Sequence, residues 1–241
     1  TGQTASQPPR RDHPPQIADA IFADPSPAPT CGILASMSIN PIKDASPDHA
    51  VLPLIAKRYS PYAFTPKVVE EDKLKSCLEA ARWAASSFNE QPWTFIIATR
   101  DDEAEFKKAI ECLGEPNQAW AKHAGVILLT VTKSNFTKNG KPNRVALHDL
   151  GLAAGNMTIQ ALEMGLHVHQ MAGVNLAKVR QTYNVPEGYE PQTAIALGYA
   201  ADPAEAEDPA FTERDMNPRD RKPLREFVFT GAWGKAAPEV A

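Results

Sequence analysis

From about Val51 onward, stretches with apolar residues at helical spacing alternate with short continuous apolar runs. Leu74, Leu78 and Ala81 recur three and four positions apart, which indicates a helix that buries one face. Runs such as residues 125–132 are typical of strands buried on both faces. The pattern predicts helices at residues 51–55, 70–86, 101–113, 143–164 and 175–183, and strands at residues 93–99, 125–132, 166–173 and 193–199. This order predicts an α+β fold in which helices flank one sheet.

Two helix starts carry residues that suit an N-terminus. We expect Thr65 to cap the second helix with Pro66 at its first position, because a hydroxyl accepts a free backbone N–H and proline needs no donor there. We expect Asn175 to cap the fifth helix for the same reason.

The helix predicted at residues 143–164 carries almost no charge between residues 150 and 162. A helix that is apolar on most sides is buried on most sides. Gly151 and Gly155 would let another backbone approach closely, either at the centre of the fold or across a dimer interface. An ordinary core helix of a monomer is the alternative.

The first part of the chain has a different composition. Residues 1–36 contain seven of the 22 prolines and little periodic hydrophobicity, which favours disorder. We therefore predict a proline-rich, disordered extension at residues 1–48, a globular domain at residues 49–235 and a short tail at residues 236–241. Met37 could be the true start, and an upstream translation artefact, a tag and a targeting tail are all open.

The composition excludes several classes of protein. With 241 residues and 43% hydrophobic content, the chain can bury the core of one substantial domain. Its net charge of −4 is spread along the chain, so no basic face for nucleic acid is expected. Cys31, Cys77 and Cys112 lack the number and spacing of a disulfide framework or a zinc site. So few cysteines fit a reducing cytoplasm, and we expect a cytoplasmic protein. No apolar run reaches the roughly 18 residues of a membrane span, so no membrane contact is expected.

Polar residues are crowded at the junction between the second helix and the first strand. Ser87, Asn89 and Gln91 lie within five residues, just before Pro92 and Trp93. Their hydroxyl and amide groups, with free backbone N–H groups, can form several hydrogen bonds to the edge of a planar heterocycle. The junction therefore predicts a binding site.

Two separate arginine-containing segments could hold an anion. Arg58 and Ser60, beside Tyr59 and Tyr62, offer a guanidinium and a hydroxyl to a phosphate. Near the other end, Arg219 and Arg221 are two positions apart, so they point to the same side of an extended segment. Taken singly, each set also fits a solvated surface.

Other chemistries have little support in the sequence. Neither of the glycine-rich patterns that bind nucleotide phosphates, G-x-G-x-x-G and G-x-x-x-x-G-K-S/T, occurs in the chain. The glycines at 151 and 155 lie inside the predicted long helix and not in a loop. His148, His167 and His169 lack the spacing of a known metal motif, so no metal is expected. No nucleophile elbow is present.

Several of these segments together resemble the FMN-dependent nitroreductase superfamily. The resemblance extends from about residue 51 to residue 234, and several motifs in the right order are more specific than any one. The matching segments are Arg58-x-Ser60 ahead of Phe64, residues 80–87, Asn89-x-Gln91-Pro92-Trp93, Asn117-Gln118-x-Trp120-Ala121, Asp149-x-Gly151, Gly165-Leu166, residues 170–173, Gly198-Tyr199 and Arg219-x-Arg221-x-Pro223-Leu224.

The resemblance implies a fold, a cofactor and a set of binding residues. The fold is a three-layer α/β/α arrangement with a mostly antiparallel central sheet and a long central helix, assembled as an intertwined homodimer. The FMN phosphate and ribityl chain would be contacted by Arg58, Tyr59, Ser60 and Tyr62, with Arg219 and Arg221 closing on the phosphate. The flavin would be contacted by Ser86, Ser87 and Asn89 of the second protomer, by the backbone of Ala172 and Gly173 near N5, and by Asn117 near the pyrimidine edge.

Two positions depart from the family pattern. Tyr62 stands where a second arginine is usual, so one phosphate or nicotinamide-cofactor contact is weakened or replaced by a hydroxyl. Ala85 stands where a proline usually precedes the paired serines. Because the three other arginines remain, we expect FMN to bind, with either NADH or NADPH as reductant.

The resemblance also implies a reaction at the cofactor. Hydride would pass from NAD(P)H to flavin N5 and then to a nitroaromatic, quinone or activated-alkene acceptor in ping-pong turnover, with no catalytic side chain. Two alternatives stay open. One is a relative with another flavin reaction, such as dehalogenation, flavin fragmentation or oxidative ring formation. The other is a flavin-binding or flavin-storage protein with little turnover.

Overall fold

A computed structural model describes residues 39–240 of the chain. Most of the predicted disordered extension, residues 1–38, lies outside the described residues, as does residue 241. The strands are β1 (Phe64–Thr65), β2 (Trp93–Thr99), β3 (Val126–Lys133), β4 (His167–Met171) and β5 (Tyr189–Ala200). The helices are α1 (Pro53–Lys57), α2 (Glu71–Arg82), α3 (Glu103–Glu111), α4 (Glu115–Ala121), α5 (Ala146–Glu163), α6 (Leu176–Thr182) and α7 (Pro209–Met216).

The five strands form one antiparallel sheet centred on β3 and β5. β3 pairs with β2 on one side and with β5 on the other, and β5 also pairs with β4 and, at its end, with β1. All but the last residue of β3 is buried, as expected for its run of aliphatic and β-branched side chains. The sheet is therefore the middle layer of the molecule.

Helices cover both faces of the sheet. Along β3, Ile127 and Leu129 face one core with α3, α4 and α6, whereas Val126 and Leu128 face a second core with α2 and α5. Successive side chains of a strand point to opposite faces, so a strand covered on both sides reads as a continuous apolar run. The predicted α+β fold with three layers and an antiparallel sheet is confirmed.

The long predicted helix is α5, and its glycines lie on its outer side. Gly151 and Gly155 are exposed, and no atom of the described chain lies within 4 Å of the place where a Cβ would stand, helix neighbours aside. The opposite side of α5 packs against α2 and the sheet through Ala153, Met157 and Ala161. Within residues 39–240, no other backbone uses the space that the two glycines leave open.

One predicted helix start is wrong. Thr65 belongs to strand β1, where it pairs with Tyr199, and its carbonyl accepts a hydrogen bond from the Lys67 N–H. The helix begins at Glu71 and ends at Arg82, four residues before the predicted end. The pairing of Thr65 with β5 outweighs its local preference for a helix N-cap. The partner strand is distant in sequence, so this pairing cannot be predicted from the residues around Thr65. The predicted cap at Asn175 is confirmed, since its side chain accepts a hydrogen bond from the Lys178 N–H.

The segment before α1 is held against α7, and the segment near the C-terminal end folds back on itself. The Asn40 amide, which is buried, donates a hydrogen bond to the carbonyl of Asp215, and Lys43 Nζ donates to the carbonyl of Arg214. Near the other end, the Ala237 N–H donates to the carbonyl of Val228. Across residues 39–240, no helix is both long enough and apolar enough to cross a membrane.

Candidate functional site

A cavity of about 570 Å³ opens beside α5 and β4. Its volume is within the range of small-molecule and cofactor sites. One side carries Arg58, Ser60 and Arg221, which come from the segment after α1 and from the C-terminal segment. The remaining lining residues are Gly155, Asn156, Thr158, Ile159, Val168 and Gln170.

Arg58 and Ser60 reach this cavity because the chain is extended after α1. The helix stops at Lys57, Arg58 adopts a β conformation, and Pro61 disfavours helix at the residue before it. Residues two apart in an extended chain point the same way. The Arg58 Nη1 group donates to Ser60 Oγ over 3.3 Å, so the two predicted residues form one polar surface.

Positive charge is concentrated at this end of the cavity. Burial lowers the pKa of Arg58, and the neighbouring guanidiniums of Arg219 and Arg221 lower it further. Within residues 39–240, none of the three forms an ion pair with an acidic side chain. A bound anion would relieve the mutual repulsion of these groups.

The side chains of Arg219 and Arg221 point in different directions, although the sequence predicts that they point to the same side. Arg221 lines the cavity and is exposed. Arg219 turns toward the end of α1, where its two terminal nitrogens donate to the carbonyl oxygens of Ala56 and Arg58. Pro218 and Asp220 flank Arg219, and their sequence gives no sign of this difference.

Neither tyrosine of the predicted phosphate site lines the cavity. Tyr59 is only 2% exposed, its ring meets His167 edge-on, and burial raises the pKa of its hydroxyl. Tyr62 stacks on Phe211 at 5.2 Å between ring centres, and its hydroxyl accepts a hydrogen bond from Arg214. The ring of Tyr62 instead belongs to an aromatic cluster on the other face of the sheet.

Three polar residues of the cavity wall were missing from the predicted site. Asn156 and Thr158 lie on α5, and Gln170 lies on β4. The Gln170 amide donates to Thr158 Oγ1 over 3.4 Å, which is a weak bond and leaves the amide available to a ligand. The signal in the sequence for Asn156 and Thr158 is a polar side chain inside a mostly apolar helix, whereas Gln170 lies in a strand that also carries two histidines.

The junction predicted to bind a heterocycle is a short, unusually bent turn. Phe88, Asn89 and Gln91 all have positive φ angles between 51° and 56°, a region that residues other than glycine seldom adopt. Ser86 Oγ accepts a hydrogen bond from the Gln91 N–H over 3.0 Å and closes the turn. Backbone strain of this kind is frequent at functional sites, where the surrounding structure holds it.

Two acidic residues hold the turn in place, and neither was in the predicted site. Asp149, buried near the start of α5, accepts a hydrogen bond from the Ser87 N–H over 3.1 Å. The Glu90 carboxylate accepts one from the Thr137 N–H over 2.8 Å. The turn is thereby attached to α5 on one side and to the loop after β3 on the other.

Asn117 and Gly173, both predicted from the resemblance, are in direct contact. The Asn117 amide donates to the carbonyl of Gly173 over 3.0 Å, and the Gly114 N–H donates to the same oxygen. A Cβ on residue 173 would stand 2.6 Å from Asn117 Nδ2, so glycine is needed for this approach. Ala172 and Gly173 are exposed and present their backbone to solvent.

The histidines do not assemble into a metal site. In the described part of the chain, no group of three His, Cys, Asp or Glu side chains could hold a metal ion. His169 Nδ1 lies 2.8 Å from the carbonyl of Pro61, and burial lowers the pKa of its ring. His167 is also buried, and its pKa is lowered to about 4, mainly by burial and then by Arg58.

Comparison with known proteins gives consistent matches. A crystal structure described as an oxidoreductase containing FMN is 31% identical with a TM-score of 0.73, and the match covers 78% of this chain and 94% of that one. An uncharacterized 15.4 kDa protein of Mycolicibacterium smegmatis is 38% identical over 46% of this chain and 74% of its own length. The FMN reductase (NAD(P)H) of Bacillus subtilis is 27% identical over 64% of this chain and 67% of its own length.

The family comparison covers the sheet and most of the helices described above. Residues 55–199, more than half of the chain, match the model of the nitroreductase family. This range contains Arg58, Ser60, the strained turn and the contact between Asn117 and Gly173. The chain therefore belongs to the nitroreductase family.

Proposed function

We propose that this chain is an NAD(P)H-dependent FMN oxidoreductase. The observation that carries the proposal is the cavity with Arg58, Ser60 and Arg221 at one end, where positive charge has no acidic partner within residues 39–240. A phosphate is the anion that such guanidinium and hydroxyl groups suit best. The solved oxidoreductase that contains FMN and the FMN reductase of B. subtilis support the same cofactor.

The rest of the cavity suits the remainder of FMN. Asn156, Thr158 and Gln170 offer amide and hydroxyl groups to the ribityl chain and the ring, while Ile159 and Val168 offer apolar contacts. In this proposal the backbone of Ala172 and Gly173 lies near the flavin ring, with Asn117 holding its position. Tyr59 and Tyr62 support the site through packing, since their rings do not reach the cavity.

A homodimer is part of the proposal. Gly151 and Gly155 leave open space along the outer side of α5, and Leu147 and Leu152 on the same helix are exposed. Trp83, just after α2, is 73% exposed. Large exposed apolar side chains beside a helix face with open space are typical of a subunit interface. In the dimer, Ser86, Ser87 and Asn89 would contact the flavin of the partner subunit.

The chain supplies binding and orientation, and the cofactor supplies the redox chemistry. When bound, FMN would supply the redox chemistry at N5, which connects NAD(P)H as hydride donor with a nitroaromatic, quinone or activated-alkene acceptor in the two half-reactions of ping-pong turnover. The guanidiniums of Arg58 and Arg221 would hold the phosphate end, and the side chains of Ser87 and Asn89 in the strained turn would offer donors to the ring. No side chain is assigned as an acid or a base. We place the enzyme in the cytoplasm.

One experiment separates this function from its alternatives. Purified protein reconstituted with FMN is titrated with NADH and with NADPH while flavin absorbance is followed, and oxidised acceptors are then added. Bleaching by either nucleotide, followed by recovery of colour with a nitroaromatic or quinone, is the expected result. Bound flavin that neither nucleotide bleaches would indicate a flavin-binding protein, and bleaching without recovery would indicate another flavin reaction. Light scattering of the same sample should give the mass of a dimer.

A further inference from the structure

Hydrogen bonds around Arg219 join three segments of the chain. Its terminal nitrogens donate to the carbonyl oxygens of Ala56 and Arg58, at the end of α1. The Ala56 oxygen also accepts a hydrogen bond from the Ala45 N–H over 2.9 Å. These hydrogen bonds therefore join the residues before α1, the end of α1 and the C-terminal segment.

The end of a helix needs donors of this kind. The last carbonyls of a helix have no partner within it, and a guanidinium can satisfy two of them at once because its donors form a rigid fork. Arg219 is half-buried in this arrangement, and its Nε is buried without a hydrogen-bond partner in the described structure. If Arg219 turned toward the cavity, the carbonyls of Ala56 and Arg58 would both lose a donor.

We propose that Arg219 is a positioning residue, and that the phosphate subsite consists of Arg58, Ser60 and Arg221 without it. By holding the carbonyl of Arg58, Arg219 fixes the direction in which the Arg58 side chain leaves the backbone toward the cavity. The inference rests on the proposed binding of FMN. It assigns different tasks to two arginines that lie only two positions apart.

The proposal predicts opposite effects of the two arginines on the protein without cofactor. Arg219→Ala should lower the melting temperature of the FMN-free protein, because the carbonyls of Ala56 and Arg58 each lose a donor and Ala56 keeps only the Ala45 N–H. Arg221→Ala should leave it unchanged or raise it, because removal of Arg221 relieves repulsion on Arg58 and Arg219. Arg219→Lys should be less harmful than Arg219→Ala, since an ammonium can still donate to a carbonyl. If Arg219→Ala instead raised the melting temperature, as expected when one of several mutually repelling phosphate ligands is removed, the proposal would be overturned.

Affinities for FMN and riboflavin test the phosphate subsite. Arg221→Ala should weaken FMN binding roughly 10- to 100-fold, the loss of one charged hydrogen bond, and leave riboflavin binding unchanged. Arg219→Ala should weaken FMN binding in the wild-type background, but by less than about threefold when Arg58 is already alanine, because coupled residues are not additive. Arg221→Ala should keep most of its effect in that background.

The same measurements distinguish failure of this inference from failure of the proposed function. If Arg219→Ala weakened FMN binding equally with and without Arg58, Arg219 would be a direct phosphate ligand and only this inference would fail. If the wild-type protein bound neither FMN nor riboflavin, the proposed function would fail together with the subsite. The melting temperatures would still decide whether Arg219 holds the end of α1.

Discussion

At the scale of single residues, Arg58 is the group on which the cofactor proposal depends most. Arg58→Ala should weaken FMN binding by about 1.5 to 3 kcal/mol, the range for a hydrogen bond to a charged group. Fluorescence titration of FMN into the cofactor-free protein measures this loss. Arg225→Ala is the matched control, because Arg225 is an exposed arginine outside the cavity lining. Equal affinities for the Arg58 variant and the wild type would rule out the phosphate assignment.

The contact between Asn117 and Gly173 can be tested without cofactor. Gly173→Ala should destabilise the fold by about 1 kcal/mol, because the new methyl group displaces the Asn117 amide from the Gly173 carbonyl. The same substitution in an Asn117→Ala background should be close to neutral, since the clash is gone. Urea denaturation of the four proteins measures both values. A full loss in the double variant would show that the backbone itself rejects a side chain at residue 173.

Sequence reasoning identified the members of the cavity wall whose chemistry is local. The sequence predicts that Arg58 and Ser60 offer their groups to one anion, and in the structure Arg58 Nη1 donates to Ser60 Oγ. The spacing argument that puts Arg219 and Arg221 on one side failed, because the C-terminal sequence does not show the free carbonyls at the end of α1. The sequence also gives no sign that the ring of Tyr62 packs in an aromatic cluster with residues that are distant in sequence.

At the scale of elements, α5 combines a packed side with an open one. In the isolated subunit Gly155→Ala should stabilise the fold by up to about 1 kcal/mol, because alanine is the better helix former and no atom of residues 39–240 blocks its methyl group. Contact with the partner subunit in the proposed dimer would reduce this gain. The same variant should bind FMN more weakly, since Gly155 lines the cavity. Gly151→Ala is the control, because it has the same open space but does not line the cavity. Equal FMN affinities for the two variants would contradict the position of the cofactor along α5.

Helices and strands were predictable where a periodic pattern was long. β2 has the predicted bounds, and α5 lies inside the predicted range, because each carries a long apolar pattern that packs against a core. β1, α4 and α7 were not predicted. β1 is only two residues long and exists through its pairing with β5. Elements that depend on a distant partner leave little periodic signal of their own.

At the scale of the whole molecule, the buried histidines should make stability depend on pH. His167 has a pKa lowered from its ordinary value of 6.5 to about 4, so between these values the unfolded chain takes up a proton that the folded one does not. The free energy of unfolding should therefore be unaffected by His167 above pH 6.5, and should decrease as the pH falls toward 4. The pKa of His169 is also lowered, which adds a loss of the same sign.

Urea denaturation of cofactor-free protein at several pH values measures this effect. The loss due to His167 should be roughly 3 kcal/mol at most, at about 1.4 kcal/mol per pKa unit. His167→Asn should flatten the profile most clearly between about pH 6.5 and 5.5, where exposed carboxylates are still almost fully ionised. An unchanged profile in this variant would mean that another group causes the pH dependence.

The hydrogen bonds that join Ala45, Ala56 and Arg219 also have a consequence for folding during synthesis. A ribosome synthesises the chain from its N-terminal end, so the strands and α5 can fold before residues 219–221 have left the exit tunnel. Arg221 completes one end of the cavity, and Arg219 fixes the other segment that lines it. A nascent chain that has already built its sheet therefore still lacks one wall of the proposed phosphate subsite, so we expect cofactor loading to wait until residues 219–221 have emerged.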